Sequence, residues 1–196
     1  CGNKHPKSIF TLSPFYPLFG VYNEYNTNAA ALLATQIGID NKSISSALQN
    51  FKPAFGRQEI LDINGKTVQI FLSKNPTGFN ESLKAISGLK AKNLLIVLND
   101  RIPDGRDVSW IWDVDFEDFI YSFKNIVISG DRLYDMALRI KYAQGKNEVN
   151  FTLEEDLSKA ISIGFAKTSD KQTFYILPTY SAMLEVRKIL TGKKIL

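Results

Sequence analysis

The chain has 196 residues, 44% of them hydrophobic and 22% charged, which suits one or two soluble domains with a substantial core. Its net charge of +4 is modest and its Lys and Arg residues are scattered without a basic stripe, so a nucleic-acid partner is not expected. No apolar run reaches the ~18–20 residues that cross a bilayer and no secretory leader is visible, so no transmembrane segment is expected and the expected location is the cytoplasm.

The only cysteine is Cys1 and the only histidine is His5. One cysteine excludes an internal disulfide, and both residues lie in a loose-looking amino-terminal stretch. A Cys/His or Ser/His nucleophile system of the chain's own is therefore not expected. The first residue is not methionine, which reads as the start of a fragment or a processed product.

In chain order, residues 1–20 read as extended, with Pro6, Pro14 and Pro17. Asn23–Ile37 reads as a helix filled by alanine and leucine, with Asn23 or Asn26 as its cap and Gly38 as its stop. Ser43–Gln49 reads as a second helix. Lys52-Pro53-Ala54-Phe55-Gly56 is the best boundary between domains. Beyond it, Glu59–Ile63 and Lys66–Leu72 alternate like strands around Asn64-Gly65, a type I′ hairpin signal. A helix over Gly78–Ser87 places Phe79, Leu83 and Ile86 on one side.

Leu94–Leu98, Asn125–Ser129 and Thr173–Leu177 are continuous apolar runs, the pattern of strands buried on both faces. Arg132–Tyr142 and Thr179–Leu190 read as helices. Asn150–Thr152 reads as short and extended, and Thr152-Leu153-Glu154-Glu155 as a capping box opening a helix that runs to Phe165. Strands alternating with helices predict βαβ units, so residues 54–196 are expected to form one α/β domain with a mostly parallel sheet and an antiparallel hairpin at its start.

The most informative segment is Asn99–Glu117. Asp100, Asp104, Asp107, Asp113, Asp115, Glu117 and the adjoining Asp118 crowd around Trp110 and Trp112, the two tryptophans of the chain. If 108–116 is extended, Val108, Trp110, Trp112, Val114 and Phe116 share one face and Ser109, Asp113 and Asp115 the other. The segment follows a buried strand at its carboxyl end, where open α/β sheets place their ligand sites. A solvated loop is the plainer reading. A calcium loop is disfavoured because Ile111 stands where the bidentate glutamate is needed. Gly65-Lys66-Thr67 mimics the end of a phosphate loop, but Ile60 replaces the first glycine and the segment sits in a hairpin. Asn23 and Asn26 suit helix capping or the gripping of a polar ligand. Ser73-Lys74-Asn75-Pro76 lies between a strand end and a helix start, a position that favours anions.

Four segments, taken in order, resemble the Mur ligase family. Gly20-Val21-Tyr22-Asn23-Glu24-Tyr25-Asn26-Thr27-Asn28-Ala29-Ala30 is similar to G-x-H-N-x-x-N-x-x-A-A, with Tyr22 replacing histidine. Gly56-Arg57-Gln58-Glu59 is similar to the G-R-x-E start of the carboxy-terminal domain. Ser73-Lys74-Asn75-Pro76 stands where typical members have an acidic residue and then H-N-P. Leu177–Leu184 resembles the segment that closes the domain. Lys74–Asn80 and Asp104–Glu117 narrow the resemblance to the MurT-type subunits of lipid II isoglutaminyl synthases.

That resemblance implies a Rossmann-like Mur ligase carboxy-terminal domain over 53–196, preceded over 1–52 by the end of the central, ATP-binding domain. It implies an amidotransferase in which ATP activates the D-glutamate carboxyl of the lipid II stem peptide and a partner glutaminase of the GatD type supplies ammonia. It places on Asp107 the acid that serves the glutaminase's Cys/His pair, with Asp104 and Asp113 as alternates. Asn23, Asn26, Arg57, Lys74 and Asn75 would face ATP. The family's phosphate loop and Mg2+ ligands would precede residue 1, and Cys1 resembles the last cysteine of a four-cysteine zinc ribbon, although one thiolate builds no structural Zn2+ site. Two other readings remain: a non-catalytic docking or regulatory module for a glutaminase, and the carboxy-terminal domain of a conventional Mur or folylpolyglutamate ligase.

Overall fold

The structure is a computed structural model that describes residues 16–193. The expectations placed on Cys1, on His5 and on most of the extended stretch 1–20 fall outside the described residues. The chain divides into two compact units, Cys1–Pro53 and Ala54–Leu196.

In the first unit, α1 spans Val21–Gln36 and α2 spans Asn41–Gln49. Neither Asn23 nor Asn26 caps α1. The helix starts two residues earlier, at a Gly20 cap whose φ of 98° only glycine adopts without strain. Asn23 is buried within the first turn, and its side-chain amide donates back to Phe19 O at 2.6 Å. Asn26 is exposed. The α2 cap is Asp40, which accepts from Lys42 N at 2.9 Å and Ser43 N at 3.1 Å.

The second unit is a three-layer α/β domain. Its six strands are β1 (Arg57–Ile63), β2 (Lys66–Phe71), β3 (Asn93–Val97), β4 (Asn125–Ser129), β5 (Phe151–Leu153) and β6 (Phe174–Pro178). Its helices are α3 (Pro76–Gly88), a short α4 (Phe116–Phe119), α5 (Leu133–Ala143), α6 (Leu157–Lys167) and α7 (Tyr180–Thr191). The sheet order is β1-β2-β6-β3-β4-β5, with only β1–β2 antiparallel. Asn64 and Gly65 turn that hairpin at φ 52° and 78°, as a type I′ turn requires. β3 and β6 are buried along their whole length, which is why they read as unbroken apolar runs.

Alternate strand residues feed two cores. Phe79, Leu83 and Ile86 of α3 pack with Met136 and Ile140 of α5 over Leu94, Ile96, Ile126 and Ile128. Ala160 and Ile161 of α6 pack with Ala182, Met183 and Val186 of α7 over Val68, Ile70, Leu95, Val97, Val127 and Ile176. The predicted capping box at Thr152 does not form. Thr152 lies inside β5, opposite Val127, and Asp156 caps α6 instead by accepting from Lys159 N at 2.9 Å.

α6 meets the sheet through Gly164, where an added Cβ would stand 2.0 Å from Phe174 Cζ. Phe174 is fully buried and ring-packed on Phe165, so it cannot yield. Gly164→Ala is expected to destabilise the domain by about 2 kcal/mol through overpacking, measured as a lower midpoint in urea at an unchanged slope.

Candidate functional site

At the carboxyl edge of the parallel strands, β2 leads to α3 on one face of the sheet while its neighbour β6 leads to α7 on the other. Departures to opposite faces open the crevice in which α/β sheets bind ligands. Arg57, at the start of antiparallel β1, pairs opposite Phe71 at the end of β2 and so lies at this same edge, with Lys74 and Asn75 just beyond. All three are exposed. Asn75 is the α3 cap, and its Oδ1 accepts from Gly78 N at 2.7 Å. Ser73 turns inward, its hydroxyl 2.8 Å from the Ser82 hydroxyl and donating to Gly78 O at 3.1 Å. Asn23 and Asn26 belong to the other unit.

Glu59, which completes G-R-x-E, has a different place from its neighbour Arg57. Its carboxylate accepts from Arg187 Nε and Nη2, both at 2.7 Å, and from Gly56 N at 2.9 Å. Phe55 stacks 4.4 Å from the Arg187 guanidinium. This ion pair stitches the first residues of the domain to α7, a role that the motif alone did not reveal. A cleft of about 650 Å³ beside it is lined by Phe55, Leu61, Ile63, Arg187 and Leu190, and none of the sequence-predicted site residues line it.

The acid-rich segment is not a strand. Ser109–Asp113 forms a 3-10 turn, followed by α4. Val108, Ile111, Val114 and Phe116 are buried, whereas Trp112 is 48% exposed. The expected aromatic face of alternate residues therefore breaks at Trp112, and Ile111 takes the inward place. Arg139 of α5 explains why. Its guanidinium, buried and clamped near the Trp112 and Phe116 rings, donates to Ile111 O at 3.1 Å and Val114 O at 2.6 Å. It also forms a two-pronged pair with Glu117 at 2.8 and 2.7 Å. The sequence signal was a lone arginine inside the apolar stripe of a predicted helix.

Most acids of the segment hold the fold together. Asp100 accepts from Arg132 at 3.0 Å. Asp104 accepts from Ser181 N at 2.8 Å and from the Ser181 hydroxyl. Asp115 accepts from Asn80 Nδ2 at 2.6 Å and donates its N–H to Asn80 Oδ1 at 2.9 Å. Asp107 differs. It is exposed, and its carboxylate accepts only from its near neighbour Ser109, whose N–H lies at 2.8 Å. That backbone N–H, with the Ser109 hydroxyl, holds the Asp107 carboxyl below the usual aspartate range. Among the described residues, no three His, Cys, Asp or Glu side chains converge as metal ligands, and Cys1 lies outside those residues.

The family profile for the MurT ligase C-terminal region matches residues 72–183, more than half of the chain. The chain belongs to the MurT family. The lipid II isoglutaminyl synthase subunit MurT of Staphylococcus aureus strain COL is 31% identical over 194 residues, covering 92% of this chain and 43% of that protein. The MurT subunit of Streptococcus pneumoniae strain R6 is 33% identical over 178 residues, covering 90% of this chain and 39% of that protein. The chain thus spans less than half the length of these MurT relatives.

The fold is shared more widely. The MurC ligase of Thermotoga maritima superposes with a TM-score of 0.58 at 15% identity, covering 90% of this chain and 39% of that one. The folylpolyglutamate synthase of Mycobacterium tuberculosis, solved with ADP and AMPPCP, gives 0.60 at 18% identity, covering 91% of this chain and 42% of that one. The chain therefore has the Mur ligase α/β fold with its mostly parallel sheet.

Proposed function

We propose that this chain is the carboxy-terminal part of a ligase subunit that amidates the D-glutamate of the lipid II stem peptide with ammonia from a GatD-type glutaminase. Residues 1–52 are then the end of the ATP-binding central domain and 53–196 the domain that docks the glutaminase. In this reading ATP activates the D-glutamate carboxyl as an acyl phosphate. The glutaminase's cysteine attacks the glutamine amide while its histidine accepts and returns the proton. Asp107 reaches across the interface, orients that imidazole and stabilises its charged form. Ammonia then displaces phosphate at the activated carboxyl.

The observation that carries the reading is the state of Asp107: exposed, ionised and without a bond from any other element, in a chain with no nucleophile system among its described residues. Arg57, Lys74 and Asn75, exposed at one edge of the sheet, suit the polyphosphate of ATP. Asn23 and Asn26 are assigned to the central domain's own nucleotide contacts, Asn26 exposed on α1 and Asn23 buried with its amide on Phe19 O, and Mg2+ would be supplied with the nucleotide by the upstream region. In the full-length protein Cys1 would contribute to a structural Zn2+ site together with further cysteines upstream. A cytoplasmic location follows from a nucleotide-dependent reaction, and no helix of the described residues is long and apolar enough to cross a membrane.

The alternative of a pure docking module draws on Asp113 and Asp118, which face solvent and suit an electrostatic interface. A conventional ligase domain is disfavoured by Ser73, whose inward hydroxyl leaves no acid at that position. The deciding experiment is co-purification of the full-length subunit with a GatD-type glutaminase, followed by an assay of lipid II amidation with ATP and glutamine. Isoglutamine formation that needs both subunits is the expected result. Stable association without any amidation would favour the docking module. Ligation of an amino acid by the subunit alone would restore the conventional ligase.

A further inference from the structure

The loop that carries Asp107 is pinned with unusual density on one side and hardly at all on the other. At its start, Asn99 donates its N–H to Thr179 Oγ1 at 3.0 Å and its Nδ2 to Ser181 Oγ at 3.1 Å, while its Oδ1 receives Asp131 N at 3.0 Å. Arg101 pairs with Asp131 at 2.8 Å and with Glu185. The N–H groups of Asp104 and Gly105 both return to Arg101 O, at 2.8 and 3.1 Å, closing a turn. The Asp104 carboxylate then takes the Ser181 N–H and hydroxyl in the first turn of α7. The next fixed residue is Val108, which is buried. Between that turn and Val108 stand Arg106 and Asp107, both exposed and without a bond from another element.

Ser181 is the centre of this arrangement. It is 7% exposed, and its hydroxyl donates to Asp104 while accepting from Asn99, which is itself 1% exposed. The link from Asp104 to the amino end of α7 is charge-assisted and favoured by the helix dipole. It ties the loop after β3 directly to the helix after β6, the strand paired with β3.

We infer that the hydrogen-bond chain Asn99–Ser181–Asp104 is the latch that aims Asp107, with Asp104 a positioning residue rather than a second candidate for the same role. The inference rests on the reading of Asp107 given above. Without the latch the turn keeps its own two bonds to Arg101 O, but Asp104 no longer fixes it to the first turn of α7. A carboxylate that must meet an imidazole within hydrogen-bond distance does not tolerate that freedom, since displacements near 1 Å already cost roughly hundredfold in rate.

The test uses the assembled two-subunit enzyme with four variants of the full-length chain: Asp104→Ala, Ser181→Ala, Asp107→Asn and the Asp104→Ala/Asp107→Asn double. Asp104→Ala and Ser181→Ala are each expected to lower kcat for glutamine hydrolysis roughly tenfold to hundredfold, with KM and subunit affinity nearly unchanged. The double variant is expected to be no slower than Asp107→Asn alone, because Asp104 acts only through Asp107. Wild-type turnover in Ser181→Ala and Asp104→Ala beside an inactive Asp107→Asn overturns the latch and leaves the function reading standing. Losses that multiply in the double variant overturn it equally. Full turnover in Asp107→Asn overturns both. Should Asp104→Ala fail to fold, Ser181→Ala, which removes only a hydroxyl, decides the question.

Discussion

Arg139→Met is expected to destabilise the second unit by roughly 2–4 kcal/mol, the largest stability loss of any single substitution argued for this chain. The guanidinium is buried and satisfies three acceptors at once: Ile111 O, Val114 O and the Glu117 carboxylate. Methionine would restore much of the volume between the Trp112 and Phe116 rings but none of the donors. Ile111 O and Val114 O would each keep one backbone N–H, from Val114 and Phe116, but both carbonyls and the Glu117 carboxylate would lose the charged donor that ties them to α5. Guanidinium unfolding of the isolated domain would measure the loss. A change under 1 kcal/mol would mean that the 3-10 turn finds other donors.

The same pair sets a pH dependence. The Arg139 hydrogen bonds hold the Glu117 carboxyl below the usual glutamate range. A carboxyl lowered by folding stabilises the native state at pH above its ordinary value, and this contribution disappears as pH falls through the native one. The wild type is therefore expected to lose stability on acidification in a window that Arg139→Met largely lacks. Glu117 is half exposed, so solvent screening keeps the effect small beside the loss of the guanidinium itself.

Arg139 also shows where reading the sequence works and where it stops. The hairpin at Asn64-Gly65, the apolar strands β3, β4 and β6 and the stripe Phe79, Leu83, Ile86 were legible because local turn chemistry and burial periodicity determine them. Residues 108–116 also alternate, yet no strand forms, because β3 and β4 already pair with each other along their lengths. The segment's carbonyls take local turn bonds and a side chain from a later helix instead, and no local pattern encodes the second. Asn23 and Thr152 misled for a similar reason. A capping residue is recognised by its neighbours, but Gly20 supplied a backbone angle that Asn23 was not needed for, and β4 claimed Thr152 for the sheet.

The candidate site divides along the same line. The acids were visible as a cluster and Asp107 as the one carried by the family's D-G-R-D pattern. That Asp100, Asp104, Asp115 and Glu117 are committed to Arg132, Ser181, Asn80 and Arg139 depends on contacts between distant parts of the chain. Only the folded structure separates the acids that brace from Asp107, Asp113 and Asp118, which face solvent. Asp104 and Asp107 look equivalent in the sequence, and their partners make them opposites.

Asp107→Asn is expected to lower glutamine hydrolysis by the assembled enzyme by roughly 10³-fold or more, while the subunits still associate. Asparagine keeps the size and the acceptor oxygen that Ser109 N–H holds, so the tip should stay in place. What it loses is the charge. A neutral amide cannot stabilise an imidazolium, and it can present an N–H that selects the wrong histidine tautomer. In the wild type the Ser109 bonds keep the carboxyl ionised across the whole range in which a histidine titrates, so the acid limb of the rate profile should report the glutaminase's histidine and not Asp107. Added ammonium separates the two halves of the reaction. If Asp107 serves only the glutaminase, the variant should amidate lipid II from ammonium and ATP as fast as wild type. Equal loss with glutamine and with ammonium would place Asp107 in the ligase half, and unchanged glutamine turnover would remove it from the active site altogether.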